Sequence, residues 1–340
     1  MIEAAYTVLV VMLTVFLVLE GWDFGAGLLH FVVGRNEAER SAVLDAIGPL
    51  WLWNEVWLVA FGGMTFVAFP SVLASAFSGF YLAFFLLLWC LILRGVAIEA
   101  RNQLGDPLWR EAWDVTFAAS SLLLAVLIGA ALGNVIRGVP LDSRGNFAIP
   151  FFTDFGVRGR VGILDWYTLS TATFVVSLFA AHGASFLALK TAGPVHERSG
   201  QVARRLWPVV LVLLAATAVE TAIVRPDLFT GMTHRPAAWI ALAAVGAGAS
   251  TALVCQARGR HRAAFAGSCA LISGLMGAGA AGVFPVMLHS TLAPQDSISA
   301  YAASTDAYSL RLALIWWPFA VILSLGYFWF VFRHYRPGAR

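Results

Sequence analysis

Residues 5–33, AYTVLVVMLTVFLVLEGWDFGAGLLHFVV, decide the fold. The run exceeds the roughly 20 apolar residues that cross a hydrocarbon core about 30 Å thick. No basic stretch precedes it, so it is expected to persist as a spanning helix and not to be removed as a signal peptide. Yet it carries two acids, Glu20 and Asp23. An ionised side chain at mid-membrane costs roughly 2.5–3.5 kcal/mol on insertion scales, so each needs shelter. The two lie three residues apart, on one helix face. Gly21 and Gly25 form a GxxxG whose missing side chains admit another helix, so the acids are expected to face protein.

The rest of the chain agrees. Of 340 residues 60% are hydrophobic and 12% charged, and the mean hydropathy is +0.79, which places the chain among multi-span membrane proteins. Nine apolar runs follow one another, at about 5–33, 49–69, 76–99, 114–136, 165–189, 207–224, 237–257, 263–289 and 309–332. Breakers punctuate them at Gly48-Pro49, Pro70, Asp106-Pro107, Pro140, Gly193-Pro194, Arg225-Pro226, Arg235-Pro236 and Pro294. The expected fold is all-α and polytopic: a four-helix bundle over 1–136, an outer loop over 137–164, a second four-helix bundle over 165–289, and over 290–340 an outer loop, a peripheral ninth helix and a cytoplasmic tail.

Basic residues set the orientation. With the N-terminus outside, inner loops and inner helix ends hold fifteen of the twenty-two Lys and Arg residues, including Arg35, Arg40, Arg94, Arg101, Arg110, Lys190 and Arg198, and the tail RHYRPGAR falls inside. The net charge of +3 is dispersed through these loops, so no nucleic-acid surface is expected. Cys90, Cys255 and Cys269 lie in apolar runs without CxxC spacing, which points to packing and not to a disulfide or zinc site. A faint echo links FGAGLLHFVVGRNEAER (24–40) with HGASFLALKTAGPVHER (182–198), although small-residue motifs also recur simply for close helix packing.

Polar residues continue into the second and third spans. LWLWNEVWL brings Asn54 and Glu55 in from the inner side, and the third span places Arg94 at a comparable level with Glu99 nearer the surface. One reading is a buried ion pair, Arg94 with Glu55 or Asp23, that fixes how three helices pack. The other is a proton route, since carboxyls staggered inward (Glu55, Asp23, Glu20) can take up and release protons. Spacing alone leaves both open. His30, His182 and His289 lie in or at the ends of spans, but no two histidines share a helix face at i, i+4, so haem ligation by this chain is not expected. Tryptophans at span ends form an interfacial belt. Phosphate loops, nucleophile elbows and metal-ligand clusters are absent from the sequence.

Several ordered motifs carry a resemblance. GWDFGAGLLHFVVGRNEAER, AIGPLWLWNEVWLVAFGGMTFVAFP, AFSGFYLAFFLLLWCLILRGVAIEAR, ALGNVIRGVPLD and HGASFLALKT, followed by FPVMLHSTLAP and a closing SLRLALIWWPFAVILSLGYFWFVFRHY, resemble subunit II of the cytochrome bd quinol oxidases. The resemblance implies a subunit of a terminal respiratory oxidase in the bacterial inner membrane, in a complex that oxidises quinol and reduces oxygen to water with protons from the cytoplasm. It further implies that two b-type haems and one d-type haem reside in a partner, subunit I, and that this chain binds none. Subunit II is then expected to stabilise that partner and to help carry protons or oxygen toward its buried haem. Small accessory membrane subunits, lipid and quinone are compatible partners. The chain departs from the family at one place: many members read Trp-Asp-Gly-Asn where Trp51-Leu52-Trp53-Asn54 stands, so the family's acid is replaced by Leu52. Asn54 and Trp57 match. A path rerouted through Glu55 and Asp23 is the resulting expectation, with a scaffold role and, less favoured, a secondary transporter as alternatives.

Overall fold

In the computed structural model, residues 1–48, 50–156 and 160–334 are described. Pro49 and the tail arginines Arg336 and Arg340 lie outside these residues. The helices in chain order are α1 (Ile2–Leu28), α2 (His30–Val33), α3 (Glu37–Ile47), α4 (Trp51–Ala68), α5 (Pro70–Gly79), α6 (Tyr81–Ala100), α7 (Pro107–Arg137), α8 (Trp166–Lys190), α9 (Gly193–Val224), α10 (Pro226–Thr233), α11 (Pro236–Ala257) and α12 (His261–Val283). A two-stranded antiparallel ribbon, β1 (Val286–Leu288) with β2 (Ile298–Ser299), leads to α13 (Ala300–Ala303) and α14 (Ala307–His334). Among the described residues eight helices are long and apolar enough to cross a membrane, or nine if α3 and α4, bent by 45°, count as one span.

Four expected boundaries shift. The run 76–99 is interrupted at Phe80, so that α5 and α6 are separate. Phe147 of the outer loop wedges in there: a Cβ on Gly79 would sit 2.0 Å from its ring, which stacks edge-on against Phe80 at 5.0 Å. The fourth span starts at Pro107 and not near 114, because the Asp106 carboxylate caps the Leu108 and Trp109 amides and Pro107 suits the first helical turn. The sixth begins at Gly193, running through Pro208 at the cost of one backbone hydrogen bond, and the eighth stops at Val283 before Pro285.

Helices α1 and α8 form the centre. Each is buried without a break in its C-terminal part, α1 from Glu20 to Gly27 and α8 from Leu178 to Ala188. Helix α1 packs on α4, α7, α8 and α12; α8 also packs on α7, α9 and α12, while α11 pairs with α12 and α14 stays mostly exposed. The crossing of α1 and α8 is made by Gly25 and Gly183, which occupy matching positions in the echo between 24–40 and 182–198. A Cβ on Gly25 would meet the Phe179 carbonyl at 2.0 Å, and one on Gly183 the Gly25 backbone at 2.5 Å. The close approach of two backbones thus depends on glycine at both positions.

Gly25→Ala or Gly183→Ala should therefore lower the Tm of the purified complex, by an overpacking penalty of about 1–3 kcal/mol. Gly62→Ala on α4, where an added Cβ meets nothing within 4 Å, should leave the Tm unchanged.

Candidate functional site in the membrane interior

The first half of the chain buries a polar cluster at the junction of α1, α4 and α6. Glu20, Asp23 and Arg94 are 0% exposed and Asn54 is 4% exposed. The Arg94 guanidinium reaches two carboxylates through one nitrogen: Nη2 lies 2.9 Å from Glu20 Oε2 and 2.8 Å from Glu55 Oε1. It also lies over the Phe24 ring at 4.9 Å, a cation–π contact inside the protein. Asp23 Oδ2 accepts from Asn54 Nδ2 at 2.8 Å. Gly95, next to the arginine, leaves room for the Trp51 ring, which an added Cβ would touch at 3.0 Å.

Five of the expected residues thus come together, and of the two pairings the spacing left open the one with Glu55 is made. Arg94 pairs with Glu55 and Glu20, and not with Asp23. Residues three apart on a helix differ by about 60° around its axis, so Glu20 is turned to α6 and Asp23 to α4, where the amide of Asn54 meets it. Trp57 packs partly buried against the adjoining core. Glu99 stays outside the cluster: it is exposed, and its carboxylate is in no ion pair among the described residues. Leu52, at the family's acidic position, is 57% exposed on the outside of α4. Glu55 is the one carboxyl of the cluster with access, its side chain 24% exposed. With three acids and one guanidinium the fully ionised cluster carries two net negative charges, and two protons taken up would bring it to neutrality. Asp23 Oδ1 and Arg94 Nε and Nη1 are buried without a protein partner.

A second cluster escaped the sequence reading. Asp114 of α7, 0% exposed, lies 2.8 Å from His30 Nε2 and accepts from Arg101 Nε at 2.6 Å, with Arg40 Nε at 3.2 Å from its other oxygen. Arg101 also donates to Ser41 at 3.1 Å. One carboxylate therefore ties α2, α3 and the end of α6 to α7. The available signal was an acid placed after Trp113 in a long apolar helix with three basic or titratable side chains upstream, a pattern that becomes informative only once the helices are known to meet. Of the buried histidines, His30 has its Nε2 held by Asp114 and its Nδ1 without a protein partner, and His182 has both nitrogens engaged, with Ser268 Oγ at 2.7 Å and the Val18 carbonyl at 3.0 Å. Among the described residues no group of three or more His, Cys, Asp or Glu side chains could hold a metal ion.

Removing Asp114 leaves Arg101 buried and unpaired, which costs about 3–5 kcal/mol. The Asp114→Ala complex should accordingly melt well below wild type in a thermal assay, whereas Glu111→Ala, one turn away and exposed, should change stability by no more than about 0.5 kcal/mol.

Known proteins resemble this chain in sequence and in fold. Residues 1–335 match the family model of cytochrome bd terminal oxidase subunit II. A probable cytochrome oxidase subunit 2 of Haemophilus influenzae is 28% identical over 95% of this chain and 90% of its own. The cytochrome bd-I ubiquinol oxidase subunit 2 of Escherichia coli K12 is 34% identical over 62% of this chain and 54% of its own, and the cytochrome bd ubiquinol oxidase subunit 2 of Bacillus subtilis is 33% identical over 63% and 61%. The bd oxidase structure from Geobacillus thermodenitrificans superposes with a TM-score of 0.74 at 16% identity, covering 98% of this chain and 97% of the matched one, so the fold is shared. The chain, with its paired acids sheltered among α1, α4 and α6, belongs to the cytochrome bd terminal oxidase subunit II family.

Proposed function

We propose that this chain, with its N-terminus outside and its C-terminus in the cytoplasm, stabilises a haem-bearing subunit I and conducts protons from the cytoplasmic side toward the partner through Glu55, Asp23 and Glu20. The supporting observation is the cluster itself: three carboxyls around one guanidinium, with a single member, Glu55, open to the surface of α4. A protonatable group at the surface, two more at 0% exposure behind it, an Asp23 oxygen free to accept a proton and Arg94 N–H groups free to hold a bridging water make up a relay. The haems supply the redox chemistry in the partner. In this chain, Arg94 holds Glu20 and Glu55 at one nitrogen, and Asn54 fixes the orientation of the Asp23 carboxyl. Leu52 has no proton to give, so Glu55, one turn further along α4, takes the entry role.

A scaffold reading rests on the same arginine. Arg94 joins α1 and α4 to α6, and a buried charge network of this kind can serve to fix helix packing.

The two readings separate in Glu55→Gln and Asp23→Asn complexes. For the relay, oxygen consumption and proton uptake fall together by roughly tenfold or more while the haem spectrum and haem content per complex stay at wild-type values. Normal turnover in both variants removes the relay, and loss of haem with residual turnover proportional to the haem retained assigns the acids to structure.

A further inference from the structure

The inner ends of the two halves treat their arginines differently. Around α3 and the α6–α7 turn four arginines have a carboxylate: Arg40 and Arg101 meet Asp114, Arg110 meets Glu37, and Arg198 reaches from α9 to Glu39, while Arg35 offers Glu39 only its backbone amide. Across the inner end of the second half stand Arg204 and Arg205 on α9 and Arg258, Arg260 and Arg262 about the α11–α12 turn, all exposed. Among the described residues none of these five is in an ion pair, and Glu197, the acid of that region, pairs with none of them.

They gather at one place. Arg204 Nε donates to the Gln256 carbonyl near the end of α11 at 3.3 Å. Gly200, one turn before Arg204, lies against the His261 ring and the Gln256 amide, and His261 is edge-on to His196 at 5.0 Å. Polar atoms behind this surface lack protein partners: Ser199 Oγ and Gln256 Oε1, on residues that are both 0% exposed, and His261 Nδ1. The first turn of α12, a helix of 23 residues, adds the positive end of its dipole.

An apolar track leads away from the arginines. Val209, Val212, Val219 and Ile223 follow Arg205 at helical spacing on one face of α9, 46%, 68%, 62% and 69% exposed. Cations at the inner membrane surface, followed by an exposed apolar stripe along the span, match an amphiphile with an anionic head. A free phosphate has no use for the stripe. A second copy of this chain docked face to face would bring like charges together. We infer that the inner end of the second half is an anionic-phospholipid site, its phosphate held by Arg204, Arg205 and the arginines of the α11–α12 turn, its acyl chain lying along Val209, Val212, Val219 and Ile223 of α9. Guanidinium forks suit a phosphate better than point charges do. The site is independent of any proton role for Glu55.

The test uses the complete oxidase complex, equilibrated with vesicles of phosphatidylcholine and phosphatidylglycerol, extracted, and analysed for retained lipid by native mass spectrometry. Wild type is expected to retain phosphatidylglycerol in preference to phosphatidylcholine and to release it as salt is raised. R204Q/R258Q/R260Q should weaken that retention by about fivefold per arginine neutralised, while R204K/R258K/R260K, which keeps the charge that directs insertion, should retain most of it at wild-type haem content. Equal retention of the two lipids, release insensitive to salt, or undiminished retention in the glutamine variant would each overturn the site. Inorganic phosphate that displaces the lipid at equal concentration would show an adventitious anion site instead. If the glutamine variant fails to assemble, the salt and headgroup dependence of wild type decides alone.

Discussion

A carboxylate is tolerated in the interior of a membrane only where protein shelters it, and in this chain the Arg94 guanidinium supplies that shelter. Its nitrogen between Glu20 and Glu55 brings α1, α4 and α6 to one point. Everything around the cluster serves the same end: Phe24 covers the cation, Gly95 admits Trp51, and Asn54 engages the remaining acid, Asp23. The arrangement is local to the first half. The matched stretches of the echo, 24–40 and 182–198, include none of the cluster's residues. The two halves share a way of packing helices and differ in where they keep charge.

Close backbone approach is what lets α1 carry acids at all. With Gly25 against Gly183, α8 covers one side of α1 at a distance that no side chain would permit, leaving the acid-bearing side to α4 and α6. The stretch of α1 from Glu20 to Gly27 is therefore buried without a break, and the two acids within it are sheltered by protein. The Asp114 cluster repeats the principle nearer the inner surface, with one carboxylate holding Arg101 and Arg40 and receiving His30. Polar ties at two levels along α1 and α2 fasten the helices of the first half to one another.

The arginines of the inner face show how one composition can serve two purposes. All contribute to the charge bias that orients the chain. Those beside α3 and α7 are absorbed into ion pairs that fasten helices, whereas those beside α9 and α12 remain exposed beneath an apolar stripe. Sequence position alone does not distinguish the groups, since both lie in short loops between spans.

What the sequence by itself determined was the class of fold, the approximate spans and the identity of the central charged residues, because the cost of placing charge in hydrocarbon is large enough to make Glu20, Asp23, Glu55 and Arg94 conspicuous among apolar neighbours. The GxxxG at Gly21 and Gly25 likewise announced a close helix neighbour. Tertiary structure decided the pairing: that Arg94 takes Glu20 and leaves Asp23 to Asn54, that Glu99 stands apart, that Phe147 breaks the third span at Phe80, and that Asp114 gathers side chains from α2, α3 and α6. These follow from the rotation of each helix about its axis and from which helices touch, and such quantities are set by packing between segments far apart in the chain, on which the spacing within any one segment carries no information.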